Sequence, residues 1–273
     1  MQLYLASTLH NIDKLPRERA SNMKLYLASI ARECDSRFDD YTILSHCKYY
    51  LESFYDRGWV KFYDLLTLEQ KALFLLDSGA FSMMQDPKKA AGLERYVDAY
   101  IDFINERGIN YFFEMDVDSV IGLAKVEEIR KKIENKTQKQ TIPVWHRSRG
   151  KEYFLRLCKD YDYIAIGGIA AKRITKNEFK YLHWFIEQAH KYDCKIHGLG
   201  FTPTDLADYA FDSTDSSTWT YSFRHGHLYT FDGKVMQKTN PPSGKKGIGN
   251  KLAVHSFLEW CKYQKYLDGG NPC

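Results

Sequence analysis

The chain has 273 residues, enough for one large α/β domain with a sizeable core. It is 44% hydrophobic and 27% charged, which excludes the disordered and fibrous classes. A formal net charge of +4 permits an anionic partner without demanding one.

Eight short apolar runs read as strands: Gln2–Ser7, Thr42–His46, Leu73–Asp77, Tyr111–Asp116, Ile142–His146, Tyr163–Gly167, Lys195–Gly200 and Ser213–Ser217. Helix-period segments fall between them, among them Leu93–Arg107, Ile121–Asn135, Lys176–Tyr192 and Leu252–Tyr266. Strands alternating with helices imply a parallel sheet, and eight such units imply a (β/α)8 TIM barrel in a single domain over 1–273. The pentapeptide LYLAS occurs twice, at Leu3–Ser7 and Leu25–Ser29. The first copy reads as a strand, and the second falls in a helix-period stretch, Asn22–Arg32. Residues 238–250, KTNPPSGKKGIGN, read as a flexible surface loop because prolines, glycines and lysines cannot build a core. The N-terminus lacks a basic region followed by an apolar run, so no signal peptide is expected. No apolar stretch approaches the roughly 18 residues that a membrane span needs. The six cysteines form no CxxC pair and read as reduced thiols of a cytoplasmic protein.

A barrel collects its chemistry at the C-terminal ends of its strands. Here those ends carry Asp77-Ser78-Gly79-Ala80-Phe81, then Glu114-Met115-Asp116-Val117-Asp118, then Trp145-His146-Arg147. Further on come Gly167-Gly168-Ile169, His197-Gly198-Leu199-Gly200, and finally Asp212 and Asp215. Each has a structural alternative. An Asp after a strand is often a helix cap, Gly167-Gly168 can simply make a tight turn, and His146 can be a satisfied structural histidine. Convergence of carboxylates from three strands on one mouth argues more strongly than any one motif.

In order and spacing the series resembles the tRNA-guanine transglycosylase superfamily over roughly residues 70–232. The family's Asp-Ser-Gly-Gly-aromatic turn is matched by Asp77–Phe81, its next-strand Asp by Asp116, and its Gly-Gly-Leu-Ala turn by Gly167-Gly168-Ile169-Ala170. Its Gly-x-Gly followed by Thr-Pro and Asp-Leu is matched by Gly198-Leu199-Gly200, Thr202-Pro203 and Asp205-Leu206. Its nucleophilic Asp, eleven residues before Gly-His-Leu-aromatic, corresponds to Asp215 before Gly226-His227-Leu228-Tyr229. Asp212 is the reserve, but it lies fourteen residues before Gly226. The chain departs from the family at Ala80, at Ser82, and at Trp145 or His146 where a Gln is usual. It also lacks the CxCxxC…His zinc site, and His225, His227 and His255 do not reproduce that spacing.

The resemblance implies a transferase that exchanges guanine for a 7-deazaguanine base such as preQ0. The missing zinc subdomain points to the phage branch acting on DNA, hence in the host cytoplasm, with tRNA as the alternative polymer. A non-catalytic nucleic-acid-binding barrel and a metal-dependent hydrolase using Asp116 and His146 are the other readings. Asp215 is implied as nucleophile and Asp77 as acid/base. The base-binding set is Phe81, Asp116, Asp118, His146, Gly167, Gly168, Gly198 and Trp219. Arg147, Arg149, Lys172, Arg173, Arg224, Lys245 and Lys246 are the expected phosphate contacts. No cofactor or metal is expected.

Overall fold

The computed structural model describes residues 22–30, 40–84, 92–240 and 249–270. Eight parallel strands form one sheet: β1 (Lys24–Ala28), β2 (Tyr50–Ser53), β3 (Leu75–Asp77), β4 (Tyr111–Phe112), β5 (Val144–Trp145), β6 (Tyr163–Ile166), β7 (Lys195–Gly198) and β8 (Ser213–Ser216). Their order is β4-β3-β2-β1-β8-β7-β6-β5. An antiparallel hairpin follows, β9 (Leu228–Phe231) with β10 (Met236–Thr239). The sheet curls but is not a continuous ladder around a closed barrel. Its edge strands, β4 and β5, meet through an isolated parallel bridge between Phe113 and Ile142. Two hydrogen bonds serve that bridge, Glu114 N to Ile142 O at 3.1 Å and Ile142 N to Phe112 O at 2.8 Å. The next amide, Val144 N, donates to the Glu114 side chain at 2.8 Å instead of to a strand carbonyl.

The strand side chains alternate between two cores. Leu25 and Leu27 of β1 join the outer core with Val97, Tyr100 and Ile104 of the helix Leu93–Arg107. Tyr26 and Ala28 point the other way, into an interior cluster with Tyr49, Leu51, Leu75, Phe113, Val144 and Ala165. The helix shows its apolar face at three- and four-residue spacing. It stops at Gly108, whose φ of 64° is the left-handed turn that ends a helix most readily at glycine.

Six of the expected strands coincide with observed ones, with shorter limits. Strand β1 is the second LYLAS copy, not a helix, because Leu25, Tyr26, Leu27 and Ala28 are all buried between β2 and β8. The first copy, Gln2–Ser7, lies outside the described residues. Thr42–His46 belongs to a helix, Asp40–His46, and the strand comes later as Tyr50–Ser53. The Tyr50 hydroxyl donates to Ile43 O and Cys47 O and so ties that helix to the strand. The expected helix Lys176–Tyr192 is a 3-10 turn, Lys176–Tyr181, followed by the α-helix Leu182–Lys191. The first part of the expected loop 238–250 continues β10, and residues 241–248 lie outside the described set.

The last helix, Gly249–Leu267, packs on the hairpin and on β1. Its Gln264 amide donates to Leu25 O and Tyr49 O, and its oxygen accepts Lys48 N. Cys47, Cys158, Cys194 and Cys261 are buried and unpaired. Among the described residues no helix is long and apolar enough to cross a membrane.

Candidate active site

Parallel strands deliver their C-terminal ends to one side, and the sequence places carboxylates there from β3, β4 and β8. Asp77 ends β3. Its Oδ2 accepts the Gly79 amide at 3.1 Å, and the Ser53 hydroxyl at the end of β2 also bonds it. Gly79 has φ of 67°, and a Cβ there would lie 2.5 Å from Tyr55 Cβ, so the turn tolerates only glycine. Burial pushes the Asp77 carboxyl up to about 6, against the pull of those two hydrogen bonds, and the charges of Asp215 and Asp116 push it the same way. Asp77 is thus electrostatically joined to both other carboxylates.

Asp215 lies within β8, opposite Tyr26 of β1. Its Oδ1 accepts the Gly200 amide at 2.7 Å and faces His197 Nε2 at 3.1 Å. Both contacts fall on one oxygen, which leaves Oδ2 available to an electrophile. Asp212 sits at the other end of the strand. It accepts Ile196 N at 2.8 Å, faces His190 Nε2 at 3.0 Å, and its carbonyl accepts Lys24 N. Ile196 and Lys24 stand at the N-terminal ends of β7 and β1, and His190 lies in the last turn of the helix Leu182–Lys191 that leads into β7, away from Asp77.

Asp116 follows β4 within an ion-pair network. Glu114, fully buried, accepts Arg130 Nε on Oε2 at 2.7 Å and Arg149 on Oε1 at 2.8 Å. The Arg149 guanidinium continues to Asp118 at 2.9 Å and to Asp116 at 3.2 Å. His146 Nε2 meets the other Asp116 oxygen at 2.6 Å. Ligand atoms of Asp116, Asp118 and His146 lie within 4.8 Å of one another, a spacing a cation can bridge. Here the guanidinium already bonds both carboxylates, so the positive charge at this point comes from the chain itself.

The glycine turn after β6 serves this histidine. A Cβ on Gly167 would stand 2.6 Å from His146 Cε1 and 2.7 Å from Val144 Cγ1, and Gly168 has φ of 86°. The pair therefore makes room for the imidazole as well as turning the chain. Gly198 is a packing glycine, since a Cβ there would lie 3.0 Å from Phe201 Cβ. Phe81 lies in the short helix Ala80–Met84 that begins after the Asp77 turn.

Two expected roles are corrected. Arg149 does not reach phosphates: its side chain is 1% exposed and bonds three carboxylates. Trp219 does not face a sugar: it is fully buried, packs on Phe257 and donates its indole N–H to Ala28 O. Among the other expected phosphate contacts, Lys172, Arg173 and Arg224 are exposed, and the half-exposed Arg147 pairs with Glu178. Lys245 and Lys246 lie outside the described residues.

Sequence reasoning missed the functional placing of Glu114, Arg130 and His197. The signal was present for two of them. A glutamate inside the apolar run Tyr111-Phe112-Phe113-Glu114-Met115 and a histidine inside Lys195-Ile196-His197-Gly198 both require buried partners. Arg130 gave none, because its helix reads as a solvated, charge-laced face. Comparison of the chain with protein-family models and with curated proteins returns no match.

Proposed function

We propose that the chain is a DNA-guanine transglycosylase that replaces guanine with a 7-deazaguanine base, on a (β/α)8 barrel completed through the Phe113–Ile142 bridge. The observation that carries this reading is the pairing of Asp77, pushed up to about 6, with Asp215, which presents a single unengaged oxygen on the same mouth. A carboxyl pushed up by burial beside a second carboxylate suits one acid and one nucleophile.

Asp215 Oδ2 attacks C1′ as the C1′–N9 bond breaks, and that bond's electrons pass to guanine. Asp77 donates the proton that the departing base takes up. The resulting ester is attacked by the incoming base, whose proton returns to Asp77. Asp116, oriented by His146 and Arg149, supplies acceptor lone pairs to the guanine N1–H and amino group. A base stacked in duplex DNA cannot reach this mouth, so it enters flipped out or from a single strand. Lys172, Arg173 and Arg224 supply exposed positive charge for the phosphates. DNA is favoured over tRNA by the absence from the sequence of the zinc-site cysteines that accompany tRNA recognition in the resembled family.

The test is turnover of matched DNA and tRNA substrates carrying labelled guanine, each with candidate 7-deazaguanines, followed by nucleoside mass spectrometry. Exchange on DNA that depends on the added base is the expected result. Exchange on tRNA with none on DNA would contradict the proposal.

A further inference from the structure

His197 is fully buried on β7, and nothing in the exchange chemistry above employs it. Its ring lies between aromatic neighbours, with centroids 6.1 Å from Tyr26 of β1 and 5.3 Å from Phe113 after β4. Both ring nitrogens are engaged. Nε2 faces Asp215 Oδ1 at 3.1 Å, and Nδ1 faces Ser213 Oγ at 2.5 Å. Ser213 Oγ in turn bonds the hydroxyl of Tyr163 on β6. Four groups thus form a continuous line from the mouth into the interior of the sheet.

The direction of that line follows from chemistry. Burial pushes the Tyr163 phenol well above its ordinary range, so it remains an O–H donor at neutral pH. If Tyr163 donates to Ser213, the serine hydroxyl proton is free to point at His197 Nδ1. A neutral imidazole that accepts at Nδ1 carries its proton on Nε2, aimed at Asp215. The opposite direction sets a bare Nε2 lone pair against a carboxylate oxygen, which is repulsive unless Asp215 is protonated. Alignment of the donors also polarises each bond in the chain.

We propose that Tyr163, Ser213 and His197 form a one-directional hydrogen-bond relay that keeps Asp215 ionised and turns its free Oδ2 toward the substrate. The relay rests on the reading of Asp215 as the nucleophile. It does so without adding a formal positive charge, so the nucleophile is stabilised as an anion while Asp77 stays protonatable. Once Oδ2 is bonded to the sugar, Oδ1 is the ester carbonyl oxygen and still accepts from His197 and from Gly200. These donors then favour release of the carboxylate in the second step. His197 touches no substrate and is a positioning residue. The titratable groups around it are Asp215 on β8, Tyr163 on β6 and Tyr26 on β1, with Asp77 and Asp116 beyond Asp215 at the mouth.

Two measurements on the full chain test this, and one does not need activity. In protein labelled with ¹⁵N-histidine, the His197 ring should show the tautomer with its proton on Nε2 and a bare, accepting Nδ1. The Nδ1–H tautomer, or a ring protonated on both nitrogens, overturns the relay. In the second measurement, Ser213→Ala should move the Nδ1 resonance and lower kcat/KM about tenfold. It should also shift the acidic limb of the pH profile up by about one unit. Tyr163→Phe should do the same more weakly, and KM for DNA should hold in both. An unmoved resonance and an unmoved limb in both variants overturn it equally. If the wild-type chain exchanges no base, the transglycosylase reading fails, and the histidine tautomer still decides the relay.

Discussion

The two halves of the mouth handle negative charge in opposite ways. Around Asp116, three carboxylates are tied to Arg149, His146 meets Asp116, and Arg130 supports Glu114 beneath them. Around Asp77 and Asp215, the described partners are backbone amides, a serine hydroxyl and an imidazole, and none is an arginine or a lysine. The first half pairs its carboxylates with arginines, an arrangement that suits the proposed recognition of a base edge. The second leaves its carboxylates without an arginine or lysine, and burial pushes Asp77 up with the charges of Asp215 and Asp116 adding to the effect, which suits the proposed chemistry.

The largest expected effect breaks the second half. Asp215→Ala should lower base exchange by about 10⁴-fold or more while thermal unfolding stays nearly unchanged. Asp212→Ala, at the far end of the same strand, should keep most activity. A dead Asp212 variant beside an active Asp215 variant would reverse the assignment.

Next in size is the first half. Arg149→Met leaves buried Glu114 with one cation and Asp116 and Asp118 with none from this arginine. Removing one partner of a buried pair should destabilise the fold by about 3–5 kcal/mol, measurable by urea unfolding. Loss below about 1 kcal/mol would mean that the network is solvated in solution.

Asp77 sharpens the contrast with a change of opposite sign. Its folded-state acidity is shifted up to about 6 from the ordinary 3.8, so its protonated form favours the fold below about pH 4. That contribution is lost as pH rises through about 6. Asp77→Asn should therefore abolish exchange yet stabilise the protein at pH 7 by about 1–3 kcal/mol, with the gain vanishing near pH 4. A variant less stable than wild type at pH 7 would show that the buried carboxylate is not strained. In the wild type, kcat/KM should fall as pH rises beyond about 6, because the acid is then ionised.

The smallest effect lies at the rim. Lys172→Ala with Arg224→Ala should weaken DNA binding at low salt and reduce the slope of log K against log salt by about 1–2. The identity of the exchanged base should not change.

Much of this contrast is legible in the sequence, and unevenly so. Strands β6 to β8 show as apolar or β-rich runs closed by glycines or serines, and the carboxylates at strand ends announce the mouth. Strands β1 and β2 do not show, because LYLAS fits either period and the Thr42–His46 run mimics a strand that Tyr50–Ser53 forms. Spacing prefers Asp215 to Asp212, and the two carboxylates lie at opposite ends of β8 with different partners. Arg149 misleads, because an exposed arginine and one buried among carboxylates look identical in a sequence. The difference is made by Glu114, whose burial demands a cation from across the sheet.

The central claim is a covalent bond between Asp215 and the sugar. The direct measurement is to mix the full chain with single-stranded DNA and no incoming base, quench in acid, digest, and map the cross-linked peptide by mass spectrometry. The account predicts a deoxyribose-bearing strand attached to the peptide at Asp215, with guanine released in equal amount. Attachment at Asp77 or Asp212, or base exchange that proceeds with no trapped adduct, would contradict it.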